Sequence, residues 1–209
     1  MRYLVLNSFL FLIISCTPAY KTMQMASGNV LDINKFKPSF TVALYNTQVD
    51  VVGNHLSGLL IIKKMPDSSI RMVFSNEIGF KFFDFEFSPT GNFKVYSVIK
   101  QMNKKSVLKT LRKDFELILM QNLQAENVSV RKKEGLFYYV FPQNKGYYYY
   151  ITDSLGNNLI RMERASTKKT VAEATMKNYI NGMPDTVSIN HTTFNFTIGL
   201  KRIERNATE

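Results

Sequence analysis

Cysteine, histidine and tryptophan are nearly missing from this 209-residue chain, and each shortage excludes a class of protein. A single cysteine allows no internal disulfide, which excludes the small disulfide-stabilised folds. Two histidines beside one cysteine are too few for a common zinc centre. The sequence also contains no HExxH, CxxC or GxSxG motif and no glycine-rich phosphate loop. We therefore predict a protein that is not an enzyme and that holds no metal and no cofactor.

The polar residues that remain as candidates are two histidines and two pairs of carboxylates: His55, His191, Asp84 with Glu86, and Asp114 with Glu116. Both histidines are predicted to be ordinary residues at strand ends. Paired carboxylates can perform acid–base chemistry at a suitable separation. Because lysines and arginines surround both pairs, surface ion pairs are the better prediction. The tyrosine run at 147–150 alternates between two faces, which favours core and rim positions over a platform for sugar stacking.

The one cysteine follows a short apolar segment at the start of the chain. Arg2 precedes eleven mostly apolar residues, too few to span a bilayer but typical of a signal peptide. The sequence Ile13-Ile14-Ser15-Cys16 resembles the lipobox of bacterial lipoproteins, which implies cleavage before Cys16 and attachment of diacylglycerol to its sulfur. Stable anchoring needs more than one acyl chain, and such a lipid supplies it. We predict a signal peptide at 1–15, a lipidated tether at 16–34 and a single domain at 35–209.

The residues after Cys16 and the net charge bear on location. No acidic residue lies close to Cys16, so the chain resembles neither inner-membrane lipoproteins nor the acidic surface lipoproteins of Bacteroidetes. This implies the outer membrane, on its periplasmic face. The net charge of +11 is dispersed along the chain. An exported lipoprotein does not meet nucleic acid, so the charge forms either a solvated surface or a surface attracted to anionic lipid headgroups.

Apolar and polar residues alternate along most of the chain, which predicts short β-strands joined by tight turns. Gly58 lies inside one such strand and predicts a bulge or a close backbone approach. Helical spacing replaces the alternation only at 103–123, with Asn103 as the expected N-cap. The segment 167–179 fits either a strand or a helix. The fold class is therefore mainly β (α+β): a curled antiparallel sheet of about ten to eleven strands, forming a half-open barrel with the helix on its concave side.

The apolar face of this barrel is the predicted ligand site, because a large apolar concavity suits an apolar ligand. Ten methionines and sixteen phenylalanines make the interior adaptable and apolar. The predicted lining is Leu60, Ile62, Phe83, Phe85, Phe87, Leu108, Leu111, Phe115, Phe194, Phe196 and Ile198.

Three runs together resemble Bacteroidetes lipoproteins of the LolA/LolB superfamily: GNHLSGLLIIKK, IRMVFSNEIGFKFFDFEF and KKSVLKTLRKDFELILM. The resemblance implies an incomplete barrel whose cavity takes acyl chains, in a monomer that receives lipoproteins from a soluble periplasmic carrier. It implies delivery of the lipoproteins to outer-membrane lipid without covalent chemistry. An exposed apolar residue on a hairpin loop would assist insertion, and Met65 is the nearest candidate. The alternative is a periplasm-facing binding or assembly module with a protein or glycolipid partner.

Overall fold

The computed structural model of the chain describes residues 20, 22–51, 53–121, 123, 126–166 and 168–203. The predicted signal peptide and Cys16 lie outside these residues. Within them, thirteen strands form one antiparallel sheet. The strands are β1 Gln24–Met25, β2 Val42–Val51, β3 Asn54–Lys64, β4 Ile70–Ser75, β5 Lys81–Phe87, β6 Phe93–Val98, β7 Ser129–Lys133, β8 Leu136–Pro142, β9 Tyr147–Thr152, β10 Leu159–Ala165, β11 Thr170–Ile180, β12 Met183–His191 and β13 Phe196–Arg202.

The sheet consists of two series of hairpins joined side by side. Strands β7 to β13 follow one another in space as in sequence, and so do β2 to β6, with β13 pairing to β2. The sheet curls without closing, which leaves β1 and β6 as its two edges within the described residues. The prediction of a curled, mainly β fold is thus confirmed, whereas the predicted number of strands is too low. The strands that the prediction missed or left ambiguous are β1 and β11.

Alternating burial shows why these segments form strands. In β2 the side chains of Tyr45, Thr47 and Val49 are buried while Asn46 and Gln48 are exposed, the pattern of a sheet with one face packed. In β3, a Cβ atom added to Gly58 would lie 2.1 Å from a backbone carbonyl oxygen of β4, which confirms the predicted close approach. Only glycine fits there.

Strand β11 shows a case in which pairing overrides local preference. Its alanine, glutamate, methionine and lysine residues are good helix formers, which explains the ambiguity of the sequence. In the structure it pairs along its length with β12 and also with β10. Ala172, Ala174 and Met176 turn toward the buried side while Glu173 is exposed. Tertiary pairing therefore decides the structure of this segment.

The one α-helix among the described residues, α1, spans Lys105–Ile118 and packs on the concave face of the sheet. It is shorter than predicted at both ends. The predicted N-cap at Asn103 is wrong, because Lys104 occupies the cap position and its side chain makes no capping hydrogen bond. Leu111, Phe115 and Ile118 are buried, so the apolar stripe lies where the helical spacing indicates.

Part of the segment predicted as a tether packs against the sheet. A 3-10 helix, Val30–Phe36, begins after Asn29, whose side chain accepts a hydrogen bond from the backbone of Leu31. Ile33 of this helix is buried in the main core. Strand β1 pairs with β7 just before it. Because this segment is short and polar and shows no alternation, its sequence does not predict these contacts.

Because the strands are antiparallel, the turns between them lie alternately at the two ends of the sheet, which we call rim 1 and rim 2. Rim 1 holds the turns at 76–80, 143–146, 166–169 and 192–195, together with the start of α1. Rim 2 holds the turns at 65–69, 88–92, 153–158 and 181–182.

Candidate functional site

The residues predicted to line a cavity converge on the face that meets α1. Nine of the eleven are buried in one continuous core: Leu60, Ile62, Phe83, Phe85, Phe87, Leu111, Phe115, Phe196 and Ile198. Leu108 is half-buried and packs against this core. Phe194 lies at rim 1 and is 45% exposed. The sequence pattern therefore brings these side chains together, while their binding of a ligand stays a prediction.

Stacked aromatic rings fill the concavity beneath the helix. The rings of Phe83 and Phe85 are parallel with centroids 4.3 Å apart. Phe115 of α1 lies 5.7 Å from Phe83 and 6.3 Å from Phe87, both at steep ring angles. Such offset and edge contacts are favourable for aromatic pairs. With the helix in this position, the predicted lining is a packed core.

Open space next to this core lies at the first turns of α1. A pocket of about 230 Å³ opens there, bounded by Val51, Ser106, Val107, Thr110, Phe194 and Phe196. A second void of about 10 Å³ lies at the other end of the helix, near Tyr45 and Ile118. Ligand pockets usually measure about 300 Å³ or more. The larger space is therefore too small for a complete acyl chain unless the helix moves.

A buried polar cluster joins the second half of α1 to the sheet. The Asp114 carboxylate lies 2.8 Å from Nε2 of His191 and 3.4 Å from a terminal nitrogen of Arg164. The side chains of Asp114 and His191 are completely buried. Within the described residues, Asp114 Oδ1, His191 Nδ1 and Arg164 Nε have no hydrogen-bond partner. The His191 ring also packs against Phe194 and Phe196, with centroids 4.7 and 4.8 Å away.

These contacts correct two predictions. His191 is a buried residue that contacts the helix, whereas His55 is exposed and bonds to Asp50 at 2.7 Å. Asp114 and Glu116 are buried rather than at the surface. The spacing held a signal, because Asp114 is three residues after Leu111 and four before Ile118, on the same apolar stripe.

The tyrosines of β9 supply further polar contacts to the helix. Tyr148 donates to the backbone oxygen of Lys113 at 3.2 Å, and Tyr150 donates to that of Leu117 at 3.3 Å. Burial, with Glu116 nearby, raises the pKa of both phenols well above the ordinary value. Tyr147 and Tyr149 point to the opposite face and belong to a separate apolar cluster. The predicted alternation of this run is confirmed.

Asp84 and Glu86 lie on the outer face of β5 and form the predicted ion pairs, but Asp84 is buried rather than at the surface. Arg71 Nε lies 2.5 Å from Asp84, and another Arg71 nitrogen lies 3.5 Å from Glu86. Burial alone would raise the pKa of Asp84, but hydrogen bonds from Arg71 and Lys81 hold it below its usual value. The Arg71 guanidinium also lies over the Tyr96 ring. Both carboxylates are therefore engaged in ion pairs, which gives them a structural role.

Comparisons with known proteins identify the fold. No protein-family model matches the chain, and no curated protein matches its sequence. Among solved structures, a LolA superfamily protein from Nitrosomonas europaea superimposes with a TM-score of 0.53 at 6% identity, covering 84% of this chain and 90% of that one. The chain has a LolA-like fold.

Two further structures align with lower scores. A domain assigned to outer membrane lipoprotein sorting, from Vibrio parahaemolyticus, gives a TM-score of 0.45 at 9% identity over 84% of this chain and 90% of that one. A DUF1329 family protein from Desulfovibrio piger gives 0.43 at 9% identity over 84% and 88%.

The predicted role of Met65 in membrane insertion stays a prediction. Met65 is half-buried in a tight turn at rim 2, where its backbone nitrogen donates to Ser69 at 2.8 Å. Ile78 at rim 1 and Leu155 at rim 2 are far more exposed, at 89% and 77%. No cluster of three metal-ligating side chains occurs in the described part of the chain. Within the same residues, no helix is both long and apolar enough to cross a bilayer.

One surface groove of the sheet lies on its outer face. This groove measures about 950 Å³ and crosses β12, β13, β2 and β3. Its lining combines polar residues such as Gln48 and Ser188 with apolar ones such as Leu59. Asn76 to Ile78 border it at rim 1. The sequence pattern identified these residues only as the outward side of strands.

Proposed function

We propose that this chain is an outer-membrane lipoprotein, anchored through Cys16 on the periplasmic face, that binds acyl chains and accepts lipoproteins for insertion into the membrane. The observation that carries the proposal is the concave face of aromatic and aliphatic side chains covered by a single helix. The LolA-like fold supports it. Its partners are acylated lipoproteins, a soluble periplasmic carrier and outer-membrane lipid, and it acts as a monomer.

Transfer in this proposal needs no covalent step. An acyl chain takes the place of α1 against the phenylalanine side chains and later partitions into the bilayer. Each CH₂ group that moves between water and an apolar environment changes the free energy by about 0.8 kcal/mol. Since cavity and bilayer are both apolar, the difference between them is small and transfer stays reversible.

The first half of α1 is suited to such displacement. It begins at Lys105 without a side-chain cap, and its first turn contains no acidic residue. Lys104 and Lys105 oppose the helix dipole there, which disfavours this end of the helix. The pocket of about 230 Å³ already separates these turns from Phe194 and Phe196. An acyl chain that entered at rim 1 would therefore meet the least constrained part of the helix.

Photo-crosslinking tests acyl binding directly. The soluble chain without residues 1–16 would carry a benzophenone amino acid at Phe83 and would be incubated with acylated cargo presented by a soluble carrier. Crosslinks from position 83 to the acyl chain are expected. The matched control places the same group at the exposed Tyr96. No crosslink at position 83, in a variant whose circular dichroism is unchanged, would contradict acyl binding.

A second candidate function has its own supporting observation. The concavity is filled, and a groove of about 950 Å³ lies on the outer face. These two features favour a binding or assembly module with a protein or glycolipid partner. Native mass spectrometry separates the candidates, because copurifying lipid favours the carrier and its absence after exposure to acylated cargo favours the module.

A further inference from the structure

Tyr20, four residues after Cys16, is docked on the outer face of the sheet. Its ring stacks on Tyr149 with centroids 4.4 Å apart and planes 3° from parallel. Its hydroxyl donates to a carboxylate oxygen of Glu163 at 2.5 Å and lies 2.7 Å from the Thr170 hydroxyl. Only 9% of Tyr20 is exposed. A residue of the predicted tether thus has both stacking and hydrogen-bond partners.

The receiving site is itself well held. Glu163 is buried and accepts a hydrogen bond from Arg161 at 2.6 Å. Tyr20 completes an apolar cluster that the outward residues Tyr138, Val140, Ile151 and Ala165 form on β8, β9 and β10. Burial and the bond to Glu163 raise the pKa of the Tyr20 phenol far above its ordinary value, so it stays a neutral donor. After Tyr20 the chain reaches the sheet edge, where β1 pairs with β7.

We propose that this docking shortens the membrane tether and turns rim 1 toward the lipid surface. The inference rests on the proposed acylation of Cys16. The four residue steps from Cys16 to Tyr20 reach at most about 14 Å, whereas the 18 steps from Cys16 to Asn34 would reach roughly 60 Å. The anchor is therefore held near the position of Tyr20.

The position of Tyr20 decides which rim lies near the bilayer. Its partner Thr170 is the first residue of β11, at rim 1. Strand β11 runs for 11 residues to rim 2, a length of roughly 35 Å at the usual rise per residue. A tether of about 14 Å cannot bring rim 2 to the membrane while Tyr20 remains docked.

The composition of rim 1 fits a lipid surface. It exposes three large apolar side chains, Ile78, Phe80 and Phe194. Its turns and the start of α1 carry exposed lysines, which attract anionic headgroups. These lysines are Lys104, Lys105, Lys145, Lys168 and Lys169. Contact through rim 1 would also place the pocket beside Phe194 at the bilayer, where acyl chains leave and enter.

Tryptophan fluorescence can measure this orientation, because the chain contains no tryptophan. Full-length acylated protein with Ile78→Trp (rim 1) or Leu155→Trp (rim 2) would be reconstituted in phosphatidylethanolamine–phosphatidylglycerol vesicles with brominated acyl chains. We expect quenching at least twofold stronger for Ile78→Trp than for Leu155→Trp. Adding Tyr20→Ala should remove most of this difference, and Tyr20→Phe, which keeps the stacking, should remove part of it.

The matched control is Tyr96→Ala, because Tyr96 also donates to a glutamate, Glu86, but lies away from the tether. It should leave the difference between the rims unchanged. Equal quenching at both positions in vesicle-bound protein would overturn the orientation while leaving the anchor intact. A difference that survives Tyr20→Ala would overturn the role of docking. If Cys16→Ser protein bound vesicles as well as the acylated protein, the anchor and this inference would both fail.

Discussion

The two sides of the concave face hold the same helix by different means. On the β5 side, Phe83 and Phe87 pack their rings against Phe115, and the hydrogen bond there from Arg112 to the Gly91 carbonyl is exposed. On the β9 side, Tyr148 and Tyr150 donate to backbone oxygens of α1. Most of the stabilisation from burying these rings is hydrophobic and non-directional, so an acyl chain can replace it. A broken hydrogen bond leaves a buried polar group unsatisfied, so we expect the helix to separate from β5 before β9.

The largest effect is expected from a substitution that weakens the packing on the phenylalanine side. Phe83→Ala removes a buried ring between Phe85 and Phe115, which should lower the free energy of unfolding by about 3–5 kcal/mol. The space that remains should increase binding of a fluorescent acyl probe. Urea denaturation and probe titration measure the two effects. Phe80→Ala, at an exposed position, is the control, and equal losses in both variants would contradict a packed concave face.

The next largest effect is expected from a substitution that breaks the polar contacts of α1 with β10 and β12. Asp114→Asn removes the carboxylate that lies beside His191 and Arg164. Removing one partner of a buried charged cluster should lower the free energy of unfolding by about 3 kcal/mol. Hydrogen exchange should then increase over the second half of α1 more than over the first. A uniform increase along the helix would contradict separate control of its two halves.

Alkaline pH should act on β9 through Tyr149, which lies on the outer face of the sheet, and should spare the phenylalanine side of the concavity. Burial, with Tyr147 nearby, raises the pKa of Tyr149 to about 12. An unfolded tyrosine ionises near pH 10, so this stabilisation is complete below about pH 10 and disappears as the pH rises towards 12. Allowing for solvent screening, the loss should be roughly 1–2 kcal/mol. Tyr149→Phe should reduce the alkaline loss, as measured by denaturation at pH 9 and pH 11.5.

The smallest effect concerns one hydrogen bond. Tyr150→Phe keeps the ring and removes the donor to Leu117, which should lower the free energy of unfolding by about 1 kcal/mol. The variant should also bind acyl probes somewhat more tightly, since α1 is displaced more easily. A change as large as that of Phe83→Ala would show that the hydroxyl does more than fix the helix.

A feature can be predicted from the sequence when the residues that determine it lie close together along the chain. Alternation along β2 and β5 predicts strands and their buried faces, because side-chain direction is a local property. The docking of Tyr20 depends on Glu163 and Thr170, which lie 143 and 150 positions away in the sequence, so no local pattern indicates it. Strand β11 pairs with its sequence neighbours β10 and β12, but its helix-forming residues hide the strand pattern. His191 reaches Asp114 across 77 positions, and only the place of Asp114 on the apolar stripe hinted at this contact.

The pairing of Gln24 and Met25 with β7 has a consequence for solubility. An open sheet has two edges whose free backbone groups invite pairing with other chains. Strand β1 covers the edge of β7, with Gln24 opposite Lys132 and Met25 opposite Arg131. Cleavage of the chain after Met25 would remove β1 and so expose the edge of β7. The same cut would remove the proposed membrane anchor. We expect such a fragment to self-associate, so the same few residues protect the sheet from aggregation and lead toward the anchor.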